Sequence, residues 1–150
     1  MAHIEIVTRI QASPERCFDV ARDLDLHLRT MTHTGERAIA GRTSGLIELG
    51  EEVTWEGRHF GFLHRHTSRI THYDRPRHFC DAMVRGRFAS FAHDHYFDPD
   101  GSGTLMRDVI EFRSPFGPIG RIVDALVLTA YMTKLVTRRN AGVKSAAESG

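Results

Sequence analysis

The sequence has few of the features that mark disulfide-rich, nucleic-acid-binding or membrane-spanning proteins. It contains two cysteines, Cys17 and Cys80, and no CxxC pair, so we expect a reduced, cytoplasmic protein. Lys plus Arg total 20 and Asp plus Glu total 19, a balance that gives no support for nucleic-acid binding. No apolar run approaches the roughly 20 residues that span a bilayer, and the segment Met1–Glu5 does not resemble a signal peptide.

The chain also lacks the short motifs of phosphate binding and of nucleophilic catalysis. It has no Gly-x-x-x-x-Gly-Lys-Ser/Thr loop and no serine nucleophile elbow, so we expect no cofactor and no covalent intermediate. It shows no internal repeat. We therefore expect one domain over residues 1–150, as a monomer or homodimer, with a tail that frays after Asn140.

The residue pattern of the first thirty positions predicts one strand followed by two short helices. Apolar residues alternate from Ile4 to Ile10, which is the period of a half-buried strand. Ser13-Pro14-Glu15 is a typical helix start, because serine caps free amides and proline fits the first turn. Asp23 can cap a second short helix.

A series of strand patterns follows, and then a long apolar helix. The expected strands cover 37–41, 51–57, 62–73, 79–85, 88–97 and 105–112, with a turn over Asp98–Gly103. The helix is expected from Pro118 to about Val143, with a wide apolar face: Ile119, Ile122, Val123, Leu126, Val127, Ala130, Tyr131, Leu135 and Val136. This order predicts an α+β fold, with a curved seven-stranded antiparallel sheet around the long C-terminal helix.

A sheet curved around a helix tends to leave a cavity between them, and such cavities hold ligands. Side chains two apart on a strand share a face, so the pairs His64/His66 and His93/His95 each point to one side. We expect the cavity to be lined by some of the following residues: Trp55, His64, His66, Met83, Phe91, His93, His95, Asp108, Ile110, Val127 and Tyr131.

The histidines and Asp108 allow three interpretations. They could satisfy each other as a structural hydrogen-bond network, because buried polar groups are normally paired. They could line the cavity and orient the polar end of a ligand. His93-x-His95 with a carboxylate could also bind Zn or Fe, although no other feature fixes the three or four ligands that such a site needs. We expect no metal dependence.

The ordered motifs resemble a known superfamily. Ile-x-Ala-Ser-Pro-Glu-x-x-Phe covers residues 10–18, and further matches are Phe60-Gly61, Pro76, Phe79-x-Asp81, Gly86, His93-x-His95-x-Phe97, Gly103-Thr104, Asp108 and Pro115-Phe116-Gly117-Pro118. This set resembles the START-like helix-grip superfamily, which includes polyketide cyclases, dehydrases and lipid carriers, and within it a bacterial ligand-binding SRPBCC group. The resemblance covers nearly the whole chain and implies a helix-grip fold with Asp81 inside the cavity.

Two functions remain open at this point. The chain could bind a small apolar or amphipathic molecule whose polar end is oriented by His and Asp. It could instead be a cofactor-free cyclase or dehydratase that uses a His/Asp pair for proton transfer, with His93, His95 and Asp108 as the catalytic candidates. The same residues serve both functions, so the sequence does not separate them.

Overall fold

The predicted order of strands and helices is confirmed in a computed structural model that describes residues 1–150. The strands are β1 (Ala2–Ile10), β2 (Arg37–Gly41), β3 (Glu52–His59), β4 (Phe62–Asp74), β5 (His78–Arg85), β6 (Ser90–Asp100) and β7 (Gly103–Arg113). They form one antiparallel sheet in the order β1-β7-β6-β5-β4-β3-β2. No helix is long and apolar enough to cross a membrane.

Two short helices follow β1, and both begin where the capping residues predict. In α1 (Pro14–Ala21), the Ser13 hydroxyl accepts a hydrogen bond from the amide of Arg16. In α2 (Leu24–Thr30), the carboxylate of Asp23 accepts from the first amides of the helix. These side chains satisfy amides that have no partner within their own helix. A short 3₁₀ turn, Thr32–Thr34, leads from α2 to β2.

The turn between β6 and β7 is shorter than the sequence predicts. The expected turn covered Asp98–Gly103, but Asp98 and Pro99 still pair with β7, and only Gly101 and Ser102 connect the strands. Gly101 has a φ of 61°, a left-handed conformation that glycine adopts without strain. The expectation was wrong because turn-forming residues can also continue a strand near its end.

The C-terminal helix consists of α3 (Gly117–Val123), one π-helical turn (Asp124–Leu128) and α4 (Thr129–Glu148). The tail that we expected to fray after Asn140 is helical to Glu148. Val143 and Ala147 are buried in the core, so the last turns are held by packing.

The apolar face of this helix is only partly covered. Ile119, Ile122 and Leu126 are 60–72% exposed, and Val127 is also exposed. The curved sheet therefore does not cover the N-terminal half of the predicted apolar face. Only one side of a helix can face a sheet, so an apolar stripe wider than that side stays in solvent. The packing of the helix on β1, α1 and α2 is made by α4.

Aromatic residues build the main core between α1, the sheet and the end of α4. The ring of Phe18 lies 5.1 Å from that of Phe79, 5.2 Å from that of Tyr73 and 5.4 Å from that of Phe97. Phe18 and Phe97 are fully buried. This core fills only part of the concave face of the sheet, and the remaining part encloses a cavity.

Candidate functional site

A cavity of about 850 Å³ lies between the C-terminal helix, α2 and the concave face of the sheet. Its volume is in the range of small-molecule sites. Most of the wall is apolar, and the apolar residues come from every element around it: Leu24, Met31, Ile47, Val53, Trp55, Ile70, Phe79, Phe88, Phe91, Leu128, Met132, Leu135 and Val136. The cavity therefore suits a molecule with an apolar body.

The structure places most of the predicted lining residues in the cavity wall. Nine of them line it: Trp55, His64, His66, Asp81, Phe91, His93, His95, Val127 and Tyr131. Three predicted residues do not line the cavity, namely Met83, Asp108 and Ile110.

Each of these three exceptions has a packing reason. The sulfur of Met83 lies beside Gly86, so its side chain turns towards the end of the hairpin. Ile110 is fully buried in a second core cluster with Ile4 and Val136. Asp108 is also fully buried, and it lies behind the histidines that face the cavity.

Strand register brings the predicted polar residues together. Asp81 on β5 pairs with His93 on β6, and His95 on β6 pairs with Asp108 on β7. Directly opposed residues in an antiparallel sheet share a face. With Arg139 and Asn140 from α4, these four residues form what we call the inner polar cluster.

Hydrogen bonds join the inner polar cluster diagonally across the strands. The Nε2 atom of His93 lies 2.7 Å from Asp108 Oδ1, and that of His95 lies 2.6 Å from Asp81 Oδ2. The Nδ1 atom of His95 has no hydrogen-bond partner and lies 3.4 Å from Asp108 Oδ1. Both carboxylates therefore contact inward-facing histidines, as in the hydrogen-bond network of the first interpretation.

The helix supplies two members of the cluster that the sequence analysis missed. Asn140 Nδ2 donates to Asp108 Oδ2 at 2.7 Å, and Arg139 donates to Asn140 Oδ1 and to the carbonyl of Ala21. Arg139 Nη1 also lies 3.4 Å from Asp108 Oδ1. A signal for their burial was present, because residues 136, 139, 140 and 143 share one face of a helix and two of them are valine.

The cluster shifts the pKa values of its members in different directions. Burial raises the pKa of Asp108, but the hydrogen bond from His93, the nearby ring of His95 and the charge of Arg139 outweigh burial and hold that pKa well below its usual range. Burial likewise raises the pKa of Asp81, and His95 lowers it further than burial raises it. Both carboxylates are therefore ionised at neutral pH.

The two histidines differ, although their rings stack with centroids 3.8 Å apart. Burial and the neighbouring His95 lower the pKa of His93. Burial also lowers the pKa of His95, but Asp108 and Asp81 outweigh this effect and raise it. His95 therefore holds a proton more readily than His93, and with Arg139 it offsets the charge of the two carboxylates.

Asp81, His93 and His95 are the residues that could hold a metal ion, since one potential ligand atom from each lies within 4.8 Å of the others. The planes of the two imidazole rings are only 20° apart. A metal ion lies near the plane of each imidazole that binds it, and stacked rings do not direct their nitrogens at one point. The geometry therefore favours charge compensation within the cluster, and independence from metal stays a prediction.

A second polar group in the cavity wall was not predicted. Glu36 lies there with His27 and His59, and its side chain is 8% exposed. No sequence pattern indicated this group, because Glu36 follows a short turn and no apolar period marks it as buried.

Comparison with protein families identifies the family of this chain. Residues 1–148 match the family described as polyketide cyclase / dehydrase and lipid transport. The chain belongs to this family. The match spans both the cavity and the inner polar cluster, so the site lies wholly within the family domain.

Solved structures share the fold of this family member at low sequence identity. A protein from Thermus thermophilus is 18% identical, with a TM-score of 0.74 over 97% of this chain and 99% of that one. A START superfamily protein from Mycobacterium smegmatis is 10% identical, with a TM-score of 0.74 over 99% of both chains. The major latex-like protein 151 of Panax ginseng is 12% identical, with a TM-score of 0.67 over 97% and 96%. No curated protein matches the sequence.

Proposed function

We propose that the protein binds a small apolar or amphipathic molecule in the cavity, with its polar end oriented by Asp81 and His95. One observation carries the proposal: the inner polar cluster is open to the cavity on one side only. The Asp81 side chain is 25% exposed, whereas that of Asp108 is fully buried. Only Oδ2 of Asp81 bonds to His95, so its other oxygen is free to accept a hydrogen bond from a ligand.

The inner polar cluster combines two of the roles that its residues suggest. Asp108 and Asn140 lie behind the wall and, with His93 and Arg139, form a hydrogen-bonded support. Asp81, His93, His95 and Arg139 lie in the wall itself, and Asp81 is the most exposed of the four. A ligand group at this position would meet the carboxylate of Asp81, which His95 holds in a fixed orientation.

Filling the cavity is expected to remove ligand binding. Met132 is half-buried in the cavity wall, and the variant Met132→Trp places an indole there. Native mass spectrometry of the purified protein should show a co-purifying small molecule, and its bound fraction should fall by about tenfold or more in this variant. Thr137→Trp is the matched control, because Thr137 is exposed on the same helix and is not part of the wall. Equal occupancy in both variants would place the ligand elsewhere.

Acid–base catalysis is a second candidate function, and one observation favours it. The stacked histidines have pKa values shifted in opposite directions beside Asp81, an arrangement that separates a proton donor from a proton acceptor. A dehydratase, or a cyclase that closes its ring with loss of water, would release water from the co-purified molecule, which mass spectrometry detects. Ring closure without loss of water gives an isomer of equal mass, which chromatographic retention detects. We expect Asp81→Asn to slow such a reaction by about 10²- to 10⁴-fold. Incubation without any change in mass or in retention would leave binding as the function.

A further inference from the structure

The group around Glu36 has the features of a second recognition site in the same cavity. Glu36, His27, His59 and Tyr131, here called the outer polar cluster, all lie in the wall. Tyr131 and Arg139 are eight residues apart on α4, so the two clusters are separated by roughly 12 Å along the helix. The cavity wall as a whole is mostly apolar, and His66 lies in it near enough to both Asp81 and Glu36 for each charge to act on its pKa.

The carboxylate of Glu36 is buried without an adequate partner. Its nearest basic neighbours are His27 and His59, whose Nε2 atoms lie 3.7 Å from its oxygens, which is too far for a hydrogen bond. Its one hydrogen bond, from the hydroxyl of Thr34, is long at 3.4 Å. A buried carboxylate normally has a strong partner, so this one has unused accepting capacity.

The groups around Glu36 are held in place, and their hydrogen-bonding capacity is only partly used. His27 Nε2 is buried and has no hydrogen-bond partner. His59 is oriented from behind, since its Nδ1 lies 2.6 Å from the hydroxyl of Tyr131. A Cβ atom at Gly57 would collide with Glu36 Oε2, so glycine at this position lets the carboxylate lie close to β3.

The carboxylate is ionised at neutral pH, which fixes what it can recognise. Burial raises the pKa of Glu36, but His27 and His59 outweigh burial and hold that pKa at about 2. An ionised carboxylate accepts hydrogen bonds and cannot donate them, so it binds a hydroxyl or an ammonium group and repels another carboxylate.

We propose that the outer polar cluster binds a hydrogen-bond donor, a hydroxyl or a protonated amine, at the end of the ligand away from Asp81. This inference rests on the proposed binding function and adds a ligand class to it: an apolar body of roughly 12 Å that carries a donor at the Glu36 end. Glu36 is the binding residue, and Tyr131 positions His59 beside it.

A matched series of biphenyls tests the inference. The members carry methyl, hydroxyl, aminomethyl or carboxylate at position 4, so only the polar end differs. Binding is followed by calorimetry and by the fluorescence of Trp55, the single tryptophan, which lies in the wall 4.3 Å from the ring of His27. We expect the hydroxyl or aminomethyl compound to bind about ten- to a hundredfold more tightly than the methyl compound, and the carboxylate to bind most weakly. The better of the two donors identifies the group that Glu36 prefers.

Variants assign the preference to one cluster. Glu36→Gln keeps the shape of the side chain and removes its charge, so the preference for donors should fall about tenfold or more while binding of the methyl compound is unchanged. Asp81→Asn should retain the preference at the Glu36 end. A preference that Asp81→Asn abolishes and Glu36→Gln retains would overturn the inference.

The remaining outcomes separate this inference from the proposed function. Equal binding of all four compounds to the wild-type protein would overturn the donor preference and leave ligand binding intact. Failure of every compound to bind, the methyl compound included, would overturn both. If Glu36→Gln does not fold, the comparison among compounds in Asp81→Asn assigns the preference. A donor preference that survives the loss of the Asp81 charge lies at the Glu36 end, and a preference that is lost with it overturns the inference.

Discussion

The variant Asp108→Leu is expected to lose about 3–5 kcal/mol of stability, because it leaves buried charged partners without compensation. Asp108 is fully buried and accepts hydrogen bonds from His93 and Asn140, while Arg139 lies 3.4 Å away. Leucine has the same branched side-chain skeleton and is larger than aspartate, so the substitution leaves no cavity. The loss comes from the stranded polar groups, and overpacking adds to it. Urea unfolding followed by circular dichroism measures this loss in the free energy of unfolding, and we expect the m-value to be the same for both proteins.

The same sheet offers a matched control. Asp94 lies on β6 and bonds to the Nε2 of His78 at 2.7 Å, the same distance as in the buried pair of His93 and Asp108. The Asp94 side chain is 31% exposed. We expect Asp94→Leu to cost about 1 kcal/mol or less, because solvent screens this pair. If Asp108→Leu were within about 0.5 kcal/mol of wild type, the assignment of the inner polar cluster as buried support would be wrong.

Periodicity explains why much of the fold and half of the site could be predicted. The alternation of apolar and polar residues in β6 places His93 and His95 on one face, and the register then sets Asp81 and Asp108 beside them. Alternation with a period of two shows on which face of the sheet a side chain lies, but it does not show how deeply that side chain is buried. For this reason the pattern placed Asp108 in the cavity wall, whereas it lies behind the wall.

The outer polar cluster could not be predicted because distant parts of the chain create it. Glu36 becomes buried only when the segment after α2 lies against Gly57 of β3, and Tyr131 comes from the C-terminal helix. A local pattern of apolar and polar residues cannot show that such distant segments come together.

The exposure of residues 119–126 could not be predicted either. The sequence shows that a stripe of the helix is apolar, but it does not show how much of that stripe the sheet covers.

Acid is expected to remove most of the stability of the protein, and three carboxylates explain why, of which Glu36 and Asp108 are buried and Asp81 is partly exposed. The pKa values of Glu36, Asp81 and Asp108 are all lowered by folding, that of Glu36 to about 2. A carboxylate with a lowered folded-state pKa contributes stability above its unfolded value, near 4, and this stability is lost as the pH falls through the folded value. For Glu36 the contribution is about 3 kcal/mol.

The histidines of the inner polar cluster should affect stability less, because their contributions have opposite signs. The raised pKa of His95 stabilises the fold below the unfolded value of about 6.5, and this stability is lost as the pH rises through the folded value. The lowered pKa of His93 stabilises the fold above about 6.5, and this stability is lost as the pH falls. The two effects have opposite signs, so this pair should change stability with pH less than the larger of the two effects would alone.

Urea unfolding between pH 7 and pH 3 tests the origin of the acid transition. Each carboxylate that is ionised in the folded state and protonated in the unfolded state adds at most about 1.4 kcal/mol per pH unit to the slope, so the three groups add about 4. Glu36→Gln removes one of them and should lower the slope below about pH 4 by up to about 1.4 kcal/mol per unit. The exposed carboxylates are the same in both proteins and cancel in the comparison. Identical slopes would mean that Glu36 is not held as a buried carboxylate, and a donor-binding role for the outer polar cluster would lose its electrostatic basis.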